Sequence, residues 1–252
     1  MRPTLTVFLV LFPSLGTYAQ EGTWTISGSA GIVFLNLKSV EEEGQRDIDG
    51  YHDPAVRFPD NPIPIAPYPP FGIAVAFSGR VMYRYERDFS IALSVLDYSK
   101  QIETSYRDTE AYLLLQRKVG ATDIILDIGY YFPPILYDTE WYAQVGIGRM
   151  YARAQSFTWE DKLKSADSVL VTPKQRSVGD FKISKLFVSI STGVDISLTS
   201  WLSLKMEGRY KFAPVGQLEG ELKRFDQTAP YVTSSEFDFS SLLVTSGLCV
   251  LF

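Results

Sequence analysis

The sequence has 252 residues, of which 46% are hydrophobic and 14% aromatic, and its net charge is −5. This length suits one domain of a large β class, and the scattered, acidic charge argues against nucleic-acid binding. Aromatic residues are abundant while apolar runs are short, which favours strands and disfavours transmembrane helices.

The longest apolar run lies at the start of the chain. Arg2 precedes an apolar stretch over 5–12, which is followed by Pro13 and a small-residue approach to Ala19, the pattern of a cleaved signal peptide. The stretch is shorter than the ~20 apolar residues of a membrane-spanning helix. We therefore expect residues 1–19 to be removed during export and residues 20–252 to form a single domain.

The next part of the chain alternates apolar and polar side chains at period two, which predicts strands with one apolar face. The first strand covers about 24–37. The segment 38–70 that follows opens on acidic residues and is rich in proline, which cannot donate to a strand ladder, so it is predicted to be a long loop. Strands over 71–85 and from 89 to about 99 come next, joined by the tight connection 86–88.

Residues 100–122 allow two interpretations, because 111–119 could extend a hairpin or form a short helix. Beyond them the alternation predicts further strands over 124–132, 141–152, 186–198, 202–212 and 242–252. The connections between these strands are 133–140, 159–180, 199–200 and 214–236. Eight strands whose connections are alternately long and short are typical of an antiparallel barrel with turns at one end and loops at the other.

Aromatic residues cluster at the strand ends where the connections are short. They are Trp24, Tyr83, Tyr85, Phe89, Tyr130, Phe132, Trp141, Trp201 and Phe252. Amphipathic rings at one level are typical of the girdle that a barrel places at a membrane interface. This end is therefore predicted to be periplasmic, and the long loops extracellular.

The polar faces of several strands carry charges of both signs. They are Arg80, Arg84, Asp127, Asp195, Lys205, Glu207 and Arg209. Side chains just fill an eight-stranded barrel, and a lysine or arginine facing lipid at the bilayer midplane costs ~2–4 kcal/mol. We therefore expect these residues to face the lumen as a paired charge network.

The last strand, 242–252, resembles the terminal strand of bacterial outer-membrane β-barrels. In that family a polar residue, a glycine and a hydrophobic–aromatic pair form the insertion signal, which here would be Thr245, Gly247, Val250 and Phe252. The resemblance implies that the lipid bilayer is a partner and that the barrel-assembly machinery recognises the chain during insertion.

The predicted lumen resembles that of small OmpA/OmpX-type barrels, and the signal ending Ala-Gln with the long loops resembles porin-family-like barrels of the Bacteroidetes type. This implies an all-β, eight-stranded, antiparallel up-and-down transmembrane barrel in the bacterial outer membrane. The alternative is a lipocalin, whose apolar face lies inside and whose Gly-x-Trp opening matches Gly22-Thr-Trp24. A lipocalin would, however, continue with a helix and tail beyond its eighth strand.

Few residues of the sequence are suited to catalysis or metal binding. Outer-membrane proteases and lipid A-modifying enzymes use a histidine near the extracellular rim, whereas the single histidine here, His52, lies in the first long loop beside Asp53. Asp47 and Asp49 lie nearby without the spacing of a calcium-binding loop. Cys249 has no cysteine partner and is expected to be a small lumen residue. We therefore expect no enzyme activity, metal or cofactor.

Three functions remain open. A filled barrel would anchor external loops for binding, with 38–70 as the candidate surface for an extracellular partner. The first alternative is a narrow conduit for ions or small solutes, gated by Arg80, Glu207 and Arg209. The second is a secreted lipocalin-like carrier of apolar ligands.

Overall fold

The computed structural model describes residues 22–35, 41–42, 45, 67, 69–107, 111–134, 139–162, 175–224, 227–232 and 237–252. These residues form the strands β1 (Thr23–Leu35), β2 (Ile73–Arg84), β3 (Phe89–Arg107), β4 (Ala111–Tyr131), β5 (Thr139–Lys162), β6 (Gln175–Ser197), β7 (Leu202–Phe212), β8 (Glu219–Arg224), β9 (Gln227–Val232) and β10 (Ser241–Leu251). The predicted signal peptide and most of the loop 38–70, with Asp47, Asp49, His52 and Asp53, lie outside the described residues.

Eight of these strands close into a barrel. Each strand from β1 to β6 pairs antiparallel with the next, and β10 pairs with both β7 and β1. Ser29 of β1 lies opposite Gly247 of β10, so the first and last strands seal the barrel. This closure confirms the predicted eight-stranded up-and-down barrel. In the part of the chain that the structure describes, no helix is long and apolar enough to cross a membrane.

The barrel is much taller on one side. β3, β4, β5 and β6 contain 19, 21, 24 and 23 residues, whereas β1, β2, β7 and β10 contain 13, 12, 11 and 11. The four long strands continue past the others at the end where the connections are long, which we call the long-loop end, and β8 and β9 extend the sheet beyond β6. We call this extension the wall; it comprises 99–107, 111–120, 153–162, 175–182, β8 and β9.

The ambiguous segment 111–119 is a strand, so the helix alternative is wrong. It pairs with β3 along its length, and it buries Leu113, Leu115 and Val119 at alternate positions. Burial at period two is what one face of a sheet requires.

The interval 159–180, predicted to be a loop, is strand except for 163–174, which lies outside the described residues. Charged outward residues are held by partners on the neighbouring strand, as Arg153 is by Asp180, while Phe181 beside them in sequence is buried. The polar majority of this interval hides the alternation from a sequence pattern.

The interval 214–236, predicted to be a polar loop, contains the hairpin of β8 and β9. Pro230 lies in β9, the last strand in the sheet order. An edge strand tolerates proline because its missing donor removes no ladder hydrogen bond.

Phe71, predicted at an outward position of the second strand, is instead fully buried. Gly72 has a φ of +50°, a left-handed conformation that favours glycine and breaks the alternation before β2 begins. Leu35 N–H donates to the Gly72 carbonyl at 2.8 Å, and Phe71 N–H donates to Glu41 Oε1 at 2.7 Å. The Phe71 ring therefore turns toward the interior.

The outward face of the barrel carries a continuous belt of exposed apolar side chains. This apolar belt consists of the outward residues of 24–34, 73–85, 89–95, 124–132, 141–147, 186–198, 202–212 and 242–252. On β1 it runs from Trp24 to Phe34, which corresponds to a height of roughly 25 Å at ~3.3 Å per residue and a tilt of about 40°. This polarity is that of a membrane barrel, so the lipocalin alternative is wrong.

Replacing an outward belt residue with a charge tests this assignment. We expect Leu93→Arg to lower the free energy of unfolding in lipid vesicles by ~2–4 kcal/mol, because the guanidinium would face hydrocarbon. Ser99→Arg, on the same strand and face but above the belt, is the matched control and should change it by less than about 0.5 kcal/mol. Urea titration measures both, and equal effects would contradict a bilayer around the belt.

Candidate functional site: the filled lumen

The centre of the lumen is held by two arginines and two carboxylates. Arg209 donates to both oxygens of Asp127 at 2.8 and 2.9 Å and, through Nε, to Glu207 at 3.0 Å. Arg80 lies 2.7 Å from Glu207 and 3.7 Å from Asp127. The four side chains are buried, and their formal charges cancel. A bidentate, charge-balanced cluster of this kind can compensate the desolvation of its members.

Hydroxyl groups complete this central network. Ser94 accepts from Arg80 Nε at 2.9 Å and donates to Asp127 at 3.0 Å. Tyr142 donates to Glu207 at 3.0 Å, and Arg209 also donates to Ser189 at 3.0 Å.

Glycine makes room for these long side chains. A Cβ added at Gly146 would overlap a carboxylate oxygen of Asp127, and one at Gly193 would overlap the Tyr142 hydroxyl. The inward glycines are therefore part of the network's geometry.

A second group of charges lies toward the short-turn end. Lys205 is 3.8 Å from Asp195 and lies over the Tyr142 ring at 4.2 Å. Arg84 contacts Glu140 at 2.8 Å and stacks over the Tyr131 ring at 4.1 Å.

A third charged contact lies toward the long-loop end. Lys211 donates to Asp123 at 2.8 Å and to the Tyr98 hydroxyl at 2.8 Å. Lys211, Asp123 and Tyr98 are all buried.

Above Lys211 the interior becomes apolar. The segments before and after the β8–β9 hairpin are joined by a bridge between Gly216 and Phe237. They bring Leu218, Phe237 and Phe239 into one buried cluster with Phe71. We call these four residues the apolar cap.

The structure places all seven residues predicted to face the lumen inside the barrel. Their exposed fractions are 9% or less for Arg80, Arg84, Asp127, Asp195, Lys205, Glu207 and Arg209. The predicted network did not include Asp123, Glu140 and Lys211. Lys211 lies on the same period-two face of its strand as Lys205, Glu207 and Arg209, so the sequence pattern already placed it with the inward residues.

The predicted girdle residues lie outward at the short-turn end. Those with exposed side chains are Trp24, Tyr85, Phe89, Tyr130, Phe132, Trp141, Trp201 and Phe252. Phe89 and Phe132 both pack edge-on against Tyr130, with ring centroids 5.2 Å apart in each pair.

The terminal strand is also paired to its end. Phe252 N–H donates to the Trp24 carbonyl at 2.9 Å, and Leu251 N–H donates to the Trp201 carbonyl at 2.9 Å. Of the predicted insertion signal, Thr245 faces inward and Phe252 faces outward. Cys249 is buried in the interior.

Among the described residues, no group of three or more His, Cys, Asp or Glu side chains could hold a metal ion.

Comparison with known proteins identifies the fold. No protein-family model matches the chain, and no curated protein matches its sequence. The outer membrane protein OprG from Pseudomonas aeruginosa superposes with a TM-score of 0.51 at 11% identity, covering 92% of this chain and 96% of OprG. A major outer membrane protein from Thermus thermophilus gives a TM-score of 0.50 at 7% identity, covering 91% of this chain and 99% of that protein.

These likenesses concern the fold, since the identities are low. The chain is a closed eight-stranded barrel of the outer-membrane type.

Removing one member of the central network should be strongly destabilising. We expect Arg209→Met to lower the free energy of unfolding by ~3–5 kcal/mol, because Asp127 loses its bidentate partner and stays buried with its charge. The matched control is Arg153→Met, which removes the exposed Arg153–Asp180 pair and should cost at most ~1 kcal/mol. Similar losses in urea titrations would show that the lumen is water-filled.

The exposed pair in the wall makes a separate pH prediction. Two hydrogen bonds from Arg153, at 2.6 and 2.7 Å, hold the pKa of Asp180 below its ordinary value. The stability gained is therefore present above the ordinary pKa of about 3.9 and is lost as the pH falls through the lower folded-state pKa.

Carboxyl carbon NMR titration of Asp180 measures this effect. Arg153→Met should raise the Asp180 pKa toward about 3.9. Lys118→Met, which removes an exposed cation of the same face, should leave it unchanged. An Asp180 pKa that does not respond to Arg153→Met would contradict the pairing.

Proposed function

We propose that this chain is an integral outer-membrane barrel whose filled lumen makes it an anchor rather than a pore. The observation that carries the proposal is the pair of obstructions in series along the lumen. The charge network blocks the middle, and the apolar cap, with Phe71 and Leu218 fully buried, covers the long-loop end. We propose no catalytic role.

The apolar belt supports a bilayer location. Its height of roughly 25 Å matches the apolar band of outer-membrane barrels. In this proposal the residues 1–19 direct export and are removed, the short-turn end is periplasmic, and the barrel-assembly machinery recognises Thr245, Gly247, Val250 and Phe252.

The wall is the part that such an anchor would present to an extracellular partner. Its outward face changes from apolar to polar at Asp97 and Thr122, which are hydrogen-bonded at 2.7 Å. Beyond them, Glu103 accepts from Gln116 at 3.1 Å, as suits a face exposed to water. We propose that the wall and the loop 38–70 together contact an extracellular partner.

The alternative of a narrow conduit gated by Arg80, Glu207 and Arg209 is less favoured. Ion flow would require the 2.7 Å contact between Arg80 and Glu207 to open, and an opened pair would leave buried charges without partners. The apolar cap would still obstruct the path.

Planar-bilayer conductance tests the proposal. The native chain should give no discrete current steps. Two variants each remove one obstruction: Arg80→Ala with Glu207→Ala, which leaves Arg209 balanced by Asp127, and Phe71→Ala with Phe239→Ala. Each should remain silent, because the other obstruction persists, whereas the variant with all four substitutions should show the highest conductance of the set.

Heat-dependent migration on SDS gels is the control for folding, since a closed barrel migrates faster before boiling. Discrete steps from the native, heat-modifiable protein would contradict the anchor and favour the conduit. A chain that stays soluble without detergent would contradict the membrane location itself.

A further inference from the structure

A groove of about 650 Å³ lies at the base of the wall and is lined by both faces of β6: Lys182 and Ser184 lie at outward positions, and Ile183 and Lys185 at inward ones. Its lining includes Tyr151, Arg153, Lys182, Ser184, Lys185 and Glu219. Its volume is in the range of pockets that hold small molecules.

The groove exists because the strand ladder is interrupted. The pairing of β6 passes from Val188 opposite Phe212 to Lys182 opposite Glu219. Within the described strands, residues 183–187 therefore have no ladder partner on this side. The segment that passes them lacks a side chain at Gly216, where an added Cβ would lie 2.8 Å from Ile183. The interruption leaves a recess beside Lys182 and Lys185.

Positive charge is in excess at this recess, although the chain as a whole has a net charge of −5. Arg153 and Lys182 lie opposite each other on β5 and β6. The charged side chains that line the groove are Arg153, Lys182, Lys185 and Glu219. Arg149, Asp97 and Asp180 lie beside it through their bonds to Ser184, Thr122 and Arg153. Four cations and three carboxylates give a local formal charge of +1, which favours an anionic ligand.

Hydroxyl groups add hydrogen-bonding capacity. Arg149 donates its Nε–H to Ser184 Oγ at 2.8 Å. Ser184 is the acceptor in this bond, so its own hydroxyl hydrogen can be donated to a ligand. The bond also orients the Arg149 guanidinium, whose charge is not neutralised by a serine.

The apolar belt begins directly below the groove. Arg149 lies between Ile124 and Leu186 in the strand register, and these two neighbours are exposed belt residues. Leu186 is 65% exposed and Val188 51% exposed. A ligand bound in the groove would thus have cations around its polar end and the apolar belt beneath it.

We propose that the groove binds the phosphorylated headgroup of an outer-leaflet lipid whose acyl chains lie along Leu186 and Val188. The ligand chemistry follows from the juxtaposition of excess cations, a free hydroxyl donor and an apolar surface at one bilayer depth. Arginine and lysine are the side chains that bind phosphate. The proposal rests on the proposed function, because it requires the long-loop end to face the outer leaflet.

The test uses the full chain reconstituted in phosphatidylcholine nanodiscs. Fluorescence anisotropy would measure the binding of a labelled, acylated disaccharide bisphosphate, with its dephosphorylated form and inorganic phosphate as competitors. The test variant is Lys182→Gln with Lys185→Gln. The matched control is Lys118→Gln with Lys223→Gln, which removes two exposed lysines of the wall outside the groove.

We expect the native chain to bind the bisphosphate about tenfold more tightly than the dephosphorylated lipid, and the groove variant to lose most of this difference. The control variant should stay within about twofold of native. Equal binding of the two lipids, or an equal loss in the control variant, would overturn the proposal. Competition by inorganic phosphate as strong as that by the lipid would overturn the lipid assignment in favour of a free-phosphate site.

The reconstitution step separates this proposal from the function on which it rests. A heat-modifiable chain that enters nanodiscs but does not discriminate phosphate leaves the membrane anchor standing and removes the lipid site. A chain that does not enter nanodiscs contradicts both.

Discussion

The structure depends on pairing the charges that point into the narrow lumen, as Arg209 is paired with Asp127 and Glu207. An eight-stranded barrel encloses only enough space for side chains, so a charge pointing inward must find its counter-charge there. The strand register brings residues from β2, β4 and β7 to one level, although they are far apart in sequence. Closure of the barrel and pairing of its charges are therefore one requirement.

The same constraint explains the distribution of small residues. Where long side chains cross the lumen, the opposing wall carries residues such as Gly146 and Gly193. Where the lumen contains no charge network, at the long-loop end, large apolar residues fill it instead. The interior is thus filled by two different chemistries, ionic in the middle and apolar above.

Sequence patterns predict the membrane part of this fold well, because one rule governs it. A bilayer outside and a narrow lumen inside impose strict alternation, so the belt strands and the seven inward charges were recognisable. In the wall only the inward face keeps that constraint. On the outward face Lys118 is exposed and Gln116 is partly exposed, and polar side chains there are compatible with strand, helix or loop. The β8–β9 hairpin and the strand residues 159–162 and 175–180 were missed for this reason.

Other features depend on contacts that no local pattern contains. Phe71 is inward because Gly72 adopts a left-handed conformation, and glycine alone does not specify it. The groove at the base of the wall arises from a break between two registers of β6, at Val188 and Lys182. The pair of Arg84 with Glu140 joins residues 56 positions apart.

The unequal heights of the strands have a mechanical consequence. A partner that pulls on the tip of the wall applies a force with a large component along β3, β4, β5 and β6, whose ladder hydrogen bonds run across the strands. Such a load shears many bonds at once instead of opening them one by one. The long strands run without interruption from the tip into the belt, so the pull is transmitted to the part of the barrel that the bilayer surrounds.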